Sequence, residues 1–125
     1  MTFTTIIKGW GNYPQQEAQL LTPTSSASLS TFIKQEKTLI TRGMGRSYGD
    51  SANGPKVIET SYYDHFVALD EKTGKMTAEA GITLREILKV IVRSGWFLPV
   101  TPGTSYATLG GAIASDVHGK NHHIL

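Results

Sequence analysis

The apolar residues Leu84, Ile87, Leu88, Ile91 and Val92 recur at helical spacing and form the clearest pattern in the chain. Thr83 and Glu86 have capping-box spacing ahead of them, and Gly95 supplies a stop. This predicts a helix over 83–94 with the whole stripe buried. A weaker helix begins at Ser25 or Ser26, with Leu29, Phe32 and Ile33 on one face and Lys34, Glu36 and Lys37 on the wet side. Shorter runs read as strands: Thr4 to Ile7, Ala18 to Thr22, Leu39 to Thr41, Val57 to Glu59 and Trp96 to Val100. His65 to Asp70 and Lys75 to Ala80 flank a turn at Thr73–Gly74 and predict a hairpin. Val67 and Leu69 share one side of its first strand, and Met76, Ala78 and Ala80 one side of its second. Gly11–Asn12 and Pro14 mark a loop. Trp96 and Phe97 are expected in the core, and Trp10 is expected to pack the amino-terminal loop. His65, beside Tyr62, Tyr63 and Phe66, is expected to be structural.

Strands and helices alternating in this order read as an α+β fold with at least one mixed sheet. At 125 residues, one ordinary domain is the expectation. The absence of cysteine excludes a disulfide scaffold, a thiolate metal site and a cysteine nucleophile. Twelve basic residues against ten acidic ones are too even to indicate nucleic acid. No apolar run approaches the roughly 18 residues of a membrane span, and the first residues lack the apolar core of a secretion signal. The chain closes at Ile124–Leu125 directly after its most polar, histidine-dense stretch, so a piece of a longer protein is expected.

Three segments carry candidate chemistry. In Arg42-Gly-Met-Gly-Arg-Ser-Tyr-Gly-Asp50, three glycines let backbone N–H groups converge on an anion while the arginines add charge. Neither a dinucleotide fingerprint nor a triphosphate loop is present. The alternative is a glycine-rich surface turn. Between Thr101 and Ser115, Gly103, Gly110 and Gly111 are flanked by small hydroxyl residues that suit phosphate or a polar heterocycle. The alternative there is a tight loop feeding a glycine/alanine helix packed close to its neighbour. In His118-Gly-Lys-Asn-His-His123, a metal is disfavoured because no carboxylate follows and Lys120 opposes a cation. Polar ligand contact or general-base work suits that cluster better.

Taken in order, these three segments, with Pro102-Gly-Thr104 and Leu109-Gly-Gly-Ala-Ile-Ala-Ser-Asp-Val-His118, resemble the FAD-binding domain of the vanillyl-alcohol oxidase/p-cresol methylhydroxylase superfamily. Within it they resemble the branch of 2′-epimerase flavoproteins, from about Trp10 to the last residue. The resemblance implies the amino-terminal part of a PCMH-type FAD-binding domain, with small mixed sheets and flanking helices. Residues from about 15 to 100 would form a first α/β subdomain, and 101–125 the start of a second.

The resemblance further implies that Thr41, Arg42, Gly43, Met44, Gly45, Arg46, Ser47, Tyr48, Gly49, Asp50 and Ser51 wrap the FAD pyrophosphate, with Tyr48 along the cofactor. Gly103, Thr104, Thr108, Leu109, Gly110, Gly111, Ser115, Asp116, Val117 and His118 would line the rest of it. Many superfamily members carry a flavin-linking histidine where this chain has Arg46, and arginine implies noncovalent FAD. Lys120 and His118 match positions at the flavin and substrate pocket. The implied reaction oxidises a sugar alcohol, the ribose 2′-hydroxyl of a polyprenyl-phosphate sugar, with a short-chain reductase as partner. An aldonolactone or alditol oxidase, or a noncatalytic nucleotide-binding module, is the alternative. A lipid substrate implies a cytoplasmic protein at the inner face of the membrane. An isolated piece of this length is expected to hold only part of the cofactor site.

Overall fold

A computed structural model describes residues 2–121 and 123, and its contacts fall into two units, residues 1–62 and 63–125. In the first unit, β1 (Thr2–Lys8) and β2 (Gln15–Leu21) pair antiparallel and helix α1 (Ser26–Gln35) follows. Then β3 (Ile40–Arg42) and β4 (Lys56–Glu59) complete a sheet in the order β1-β2-β4-β3. β4 runs parallel to both neighbours, so this sheet is mixed, as expected. Val57 registers beside Leu20 on one strand and Ile40 on the other, and Ile7, Ala18, Leu20 and Val57 form the buried core. Both amino-terminal strands are longer than their apolar runs. Continuous pairing from Thr2↔Leu21 to Lys8↔Gln15 orders polar residues that hydrophobicity alone does not mark.

Ser25 caps α1. Its hydroxyl accepts from the Ser28 amide at 3.2 Å, and the Ser28 hydroxyl accepts from the Ser25 amide at 3.1 Å. Leu29 and Phe32 are half-buried as the spacing predicts, but Ile33 is exposed. Glu36, expected on the wet side, is an ion-pair partner of Lys56.

In the second unit, β5 (Phe66–Asp70) and β6 (Lys75–Ala78) form the expected hairpin, followed by α2 (Leu84–Ile91), a 3₁₀ turn (Val92–Ser94) and α3 (Leu109–Ala114). Ile82, Leu84, Ile87 and Ile91 are the buried core, with Phe66, Leu69 and Met76 against it. Val67 does not share a side with Leu69. An irregularity between Phe66 and Ala68 shifts the alternation, so Phe66 and Leu69 face the core while Val67 is exposed. Val92 is likewise exposed, at 51%. Eight residues after Leu84 it stands roughly 80° around the helix, at the margin of the stripe. Thr83 accepts from the Glu86 amide at 3.2 Å, but the Glu86 carboxylate pairs with Lys89 at 2.7 Å instead of returning to the cap.

Trp96 to Val100 is not a strand. Trp96 and Leu98 pack on the core, but Phe97, expected there, is 64% exposed, and among the described residues no neighbouring strand supplies backbone partners. The Trp96 amide instead donates to the Ile91 carbonyl at 3.0 Å across Gly95, which sits at φ 80° and ends the helix in a Schellman-type closure. The Trp96 indole N–H donates to the Glu71 carbonyl at 3.1 Å. Among the described residues, no helix is long and apolar enough to cross a membrane.

His65 lies just before β5 and is structural in a definite sense. Its amide donates to Glu79 Oε2 at 3.0 Å, its ring Nδ1 lies 2.6 Å from the same oxygen, and the Glu79 amide donates to the His65 carbonyl at 2.9 Å. The hydrogen bond and charge of Glu79 raise the His65 pKa, with a smaller push from Asp64. The His65 amide and ring in turn lower that of Glu79.

Ile91, 4% exposed, is expected to cost about 2–5 kcal/mol on truncation to alanine, against about 0.5 or less for exposed Ile33→Ala, read by chemical denaturation. The His65–Glu79 pair has a defined pH window. A raised histidine pKa contributes stability below its unfolded value and loses it as pH rises through the folded one. A lowered glutamate pKa contributes above its unfolded value and loses it as pH falls through the folded one. The pair is therefore strongest between these two limits. Ring-proton NMR should find His65 titrating above the ordinary histidine range, and Glu79→Gln should bring it back down.

Candidate functional site

Arg42 ends β3, and the chain must then return to the start of β4 through residues 43–55. No helix forms in that return, because Gly43, Gly45, Gly49 and the Gly54–Pro55 pair interrupt it. The consequence is a run of unused donors. Among the described residues, the amides of Gly43, Met44, Gly45, Arg46, Ser47, Tyr48 and Gly49 donate to no other group of the chain. Further along, the Ser51 amide donates to the Tyr48 carbonyl at 3.4 Å, and the Asn53 amide to that of Asp50 at 2.8 Å. Thr41 is exposed on β3, and Ser51 and Asp50 are exposed in the loop.

Arg42, Met44, Gly45 and Arg46 line a cleft of about 400 Å³, and its other wall is Lys8, Gly9, Trp10 and Asn12. Lys8 and Arg46 are exposed cations there, whereas Arg42 is half-buried. Burial pulls the Arg42 guanidinium below its ordinary range, Glu59 opposes this, and Arg46 adds to it. Gly45 is buried at φ +65°, directly over that guanidinium. Arg46 donates to the Met44 carbonyl at 2.7 Å. Tyr48 is 78% exposed and meets Trp10 edge-on, with ring centroids 5.8 Å apart. Trp10 itself is 64% exposed.

Residues 8–12 were not among the expected site residues. Their signal in the sequence is slight: a lysine beside an aromatic residue bracketed by two glycines, which reads as a plain loop.

The second segment lies in the other unit and is built differently. Thr108, buried, caps α3 and accepts from the Gly111 amide at 3.0 Å. The Leu109 amide donates to the Ile82 carbonyl at 2.9 Å, and the Gly110 amide to the Ala80 carbonyl at 2.8 Å. The first amides of α3 are therefore already engaged by protein acceptors. A Cβ at Gly110 would lie 3.1 Å from both the side chain and the carbonyl oxygen of Ala80, which is the close packing left open for this glycine by the sequence.

Among the described residues, the amides of Gly103 and Thr104 donate to no other group, and Gly103 has open space around it. Beyond the helix, the amides of Ser115, Asp116 and Val117 donate back to Gly111, Ile113 and Ala112. Asp116 adopts φ +48°, and its carbonyl lies 2.7 Å from His118 Nδ1. His118 and Lys120 are exposed. His122 lies outside the described residues.

Comparison with known proteins adds the following. A sequence-family profile described as an FAD binding domain matches residues 18–125. Decaprenylphosphoryl-β-D-ribose oxidase of Mycolicibacterium smegmatis is 34% identical over 129 residues, covering 98% of this chain and 28% of that protein. L-Gulonolactone oxidase 5 of Arabidopsis thaliana is 27% identical over 109 residues, covering 87% of this chain and 18% of its own length. The chain thus spans under a third of the length of these relatives. Among solved structures, cholesterol oxidase from B. sterolicum superposes with a TM-score of 0.80 over 95% of this chain and 25% of its own, at 14% identity. Alkyldihydroxyacetonephosphate synthase superposes with a TM-score of 0.72 over 90% of this chain and 23% of its own, at 17% identity. These structures share the fold.

Proposed function

Because the chain belongs to the FAD binding domain family, with FAD as its cofactor, we propose that it supplies the diphosphate-holding part of an oxidoreductase that oxidises a sugar alcohol. The observation that carries this reading is the run of seven unused amides from Gly43 to Gly49 beside the exposed cations Arg46 and Lys8. Its donor chemistry fits a diphosphate: a run of unused N–H groups and positive charge, with no carboxylate lining the cleft. When bound, FAD would supply the acceptor for the hydride that leaves the alcohol carbon.

The chain's own residues orient the reactants and handle the proton. Lys120, exposed and cationic, suits the hydroxyl or phosphate oxygens of a substrate. His118 has its Nδ1 2.7 Å from the Asp116 carbonyl, and its imidazole suits orienting the cofactor or accepting the hydroxyl proton. Arg46 cannot form the histidyl link to a flavin, so the cofactor is held noncovalently. The substrate class follows the named decaprenylphosphoryl-β-D-ribose oxidase relative, and the proposal is oxidation of such a polyprenylphosphoryl ribose at its 2′-hydroxyl, with a separate reductase acting on the ketone. The gulonolactone oxidase matches favour an aldonolactone as the second reading.

Anaerobic mixing of the FAD-loaded oxidoreductase that contains this chain separates the two. Bleaching of the flavin by a polyprenylphosphoryl ribose, but not by L-gulono-1,4-lactone, is the expected result, with Lys120→Ala slowing it while the flavin spectrum is retained. Acid precipitation should leave the flavin in the supernatant. Bleaching by neither substrate rejects the sugar-alcohol reading, and a yellow washed pellet rejects noncovalent binding.

A further inference from the structure

We infer that Arg42 is a positioning residue: it splints the β1–β2 loop against the 43–51 loop and so builds the cleft, instead of holding the cofactor's phosphates itself. The inference rests on the cleft being the diphosphate site. The Arg42 guanidinium donates through Nη2 to the Lys8 carbonyl at 2.6 Å, and its Nη1 lies 3.5 Å from Asn53 Oδ1. Asn53 Nδ2 in turn donates to the Pro14 carbonyl at 3.2 Å. Lys8 and Pro14 bracket the β1–β2 loop, so one guanidinium, directly and through Asn53, holds both of its ends.

The same loop is fastened again further along. The Trp10 amide donates to the Ser47 carbonyl at 2.9 Å. Gly9 presses so closely on the 43–51 loop that a Cβ there would stand 2.6 Å from the carbonyl oxygens of Ser47 and Gly49. Over the guanidinium lies Gly45, where a Cβ would come within 2.2 Å of Nη2. Arg42 is thus covered on that side and committed to protein acceptors on the other. Arg46, a charge of the same kind four residues on, is exposed beside the unused amides. The cleft wall at Lys8, Trp10 and Asn12 precedes the residues matched by the family profile, which begin at 18. A lysine at position 42 would keep the charge but not the planar fork that reaches two acceptors at once.

The test uses this chain with FAD as the probe and two readouts: the FAD dissociation constant by equilibrium dialysis, and hydrogen exchange of the Trp10 amide without FAD. Arg42→Lys and Arg42→Ala are expected to weaken FAD equally, by about 10- to 100-fold, the worth of a hydrogen bond to a charged group. Both should speed Trp10 amide exchange up to about tenfold while β4 amides keep their protection. Gly9→Ala, which changes no charge and does not depend on Arg42 variants folding, should do the same. Arg46→Ala should weaken FAD and leave Trp10 exchange at the parental rate.

If Arg42→Lys keeps parental affinity while Arg42→Ala loses it, Arg42 acts on the ligand through its charge and the inference is wrong. Unchanged Trp10 exchange in the Arg42 variants, or parental affinity in Gly9→Ala, also overturns it. A parent chain that takes up no FAD overturns the reading of the cleft, and the exchange measurement then decides separately whether Arg42 splints the loop.

Discussion

Two parallel strands joined without a helix set the central constraint. β3 and β4 lie side by side and run the same way, so the chain must travel back the length of the pair between them. A crossover of this kind usually contains a helix, which satisfies its own amides. Here residues 43–55 make the return as a glycine-rich loop, and among the described residues seven successive N–H groups are left without a protein acceptor. Backbone donors need partners, from water or from a ligand. The proposed partner is an anion that takes several of them at once, with Arg46 and Lys8 lining the same cleft.

The loop would be a poor receptor if it were free to move. Its order comes from the neighbouring hairpin, since β1 and β2 pair along seven residues each and deliver Lys8 and Pro14 to Arg42 and Asn53. A sheet edge, a half-buried guanidinium and a close glycine contact together hold a surface that has no core of its own. The second segment has the opposite character. At α3 the long-range carbonyls of Ala80 and Ile82 take the amides that an N-terminus would otherwise offer. Two glycine-rich stretches that look alike in sequence therefore differ in what they can donate.

What was legible in the sequence follows the range of the forces involved. Helix α2 was legible because its stripe and its Thr83 cap are local, and the hairpin because its turn is local. The candidate loop was legible from the density of glycine and arginine between 42 and 50. Val67 was misplaced because a one-residue shift of register leaves no mark in composition. Trp96 to Val100 has the alternation of a strand, but pairing depends on a partner, and none of the described strands is one. The wall at Lys8 to Asn12 was not visible at all. Its contacts are made largely by the carbonyls of Lys8 and Pro14 and the amide of Trp10, and backbone atoms carry no residue identity.

Amide chemical-shift mapping during titration with FAD measures most directly whether the helix-less return is the anion receiver. The amides of residues 43–49 should shift together and saturably, and lose that response as salt screens the phosphate charge, while those of Leu109, Gly110 and Gly111 keep their protein partners and stay in place. Saturable shifts at 109–111 with residues 43–49 unmoved would contradict it.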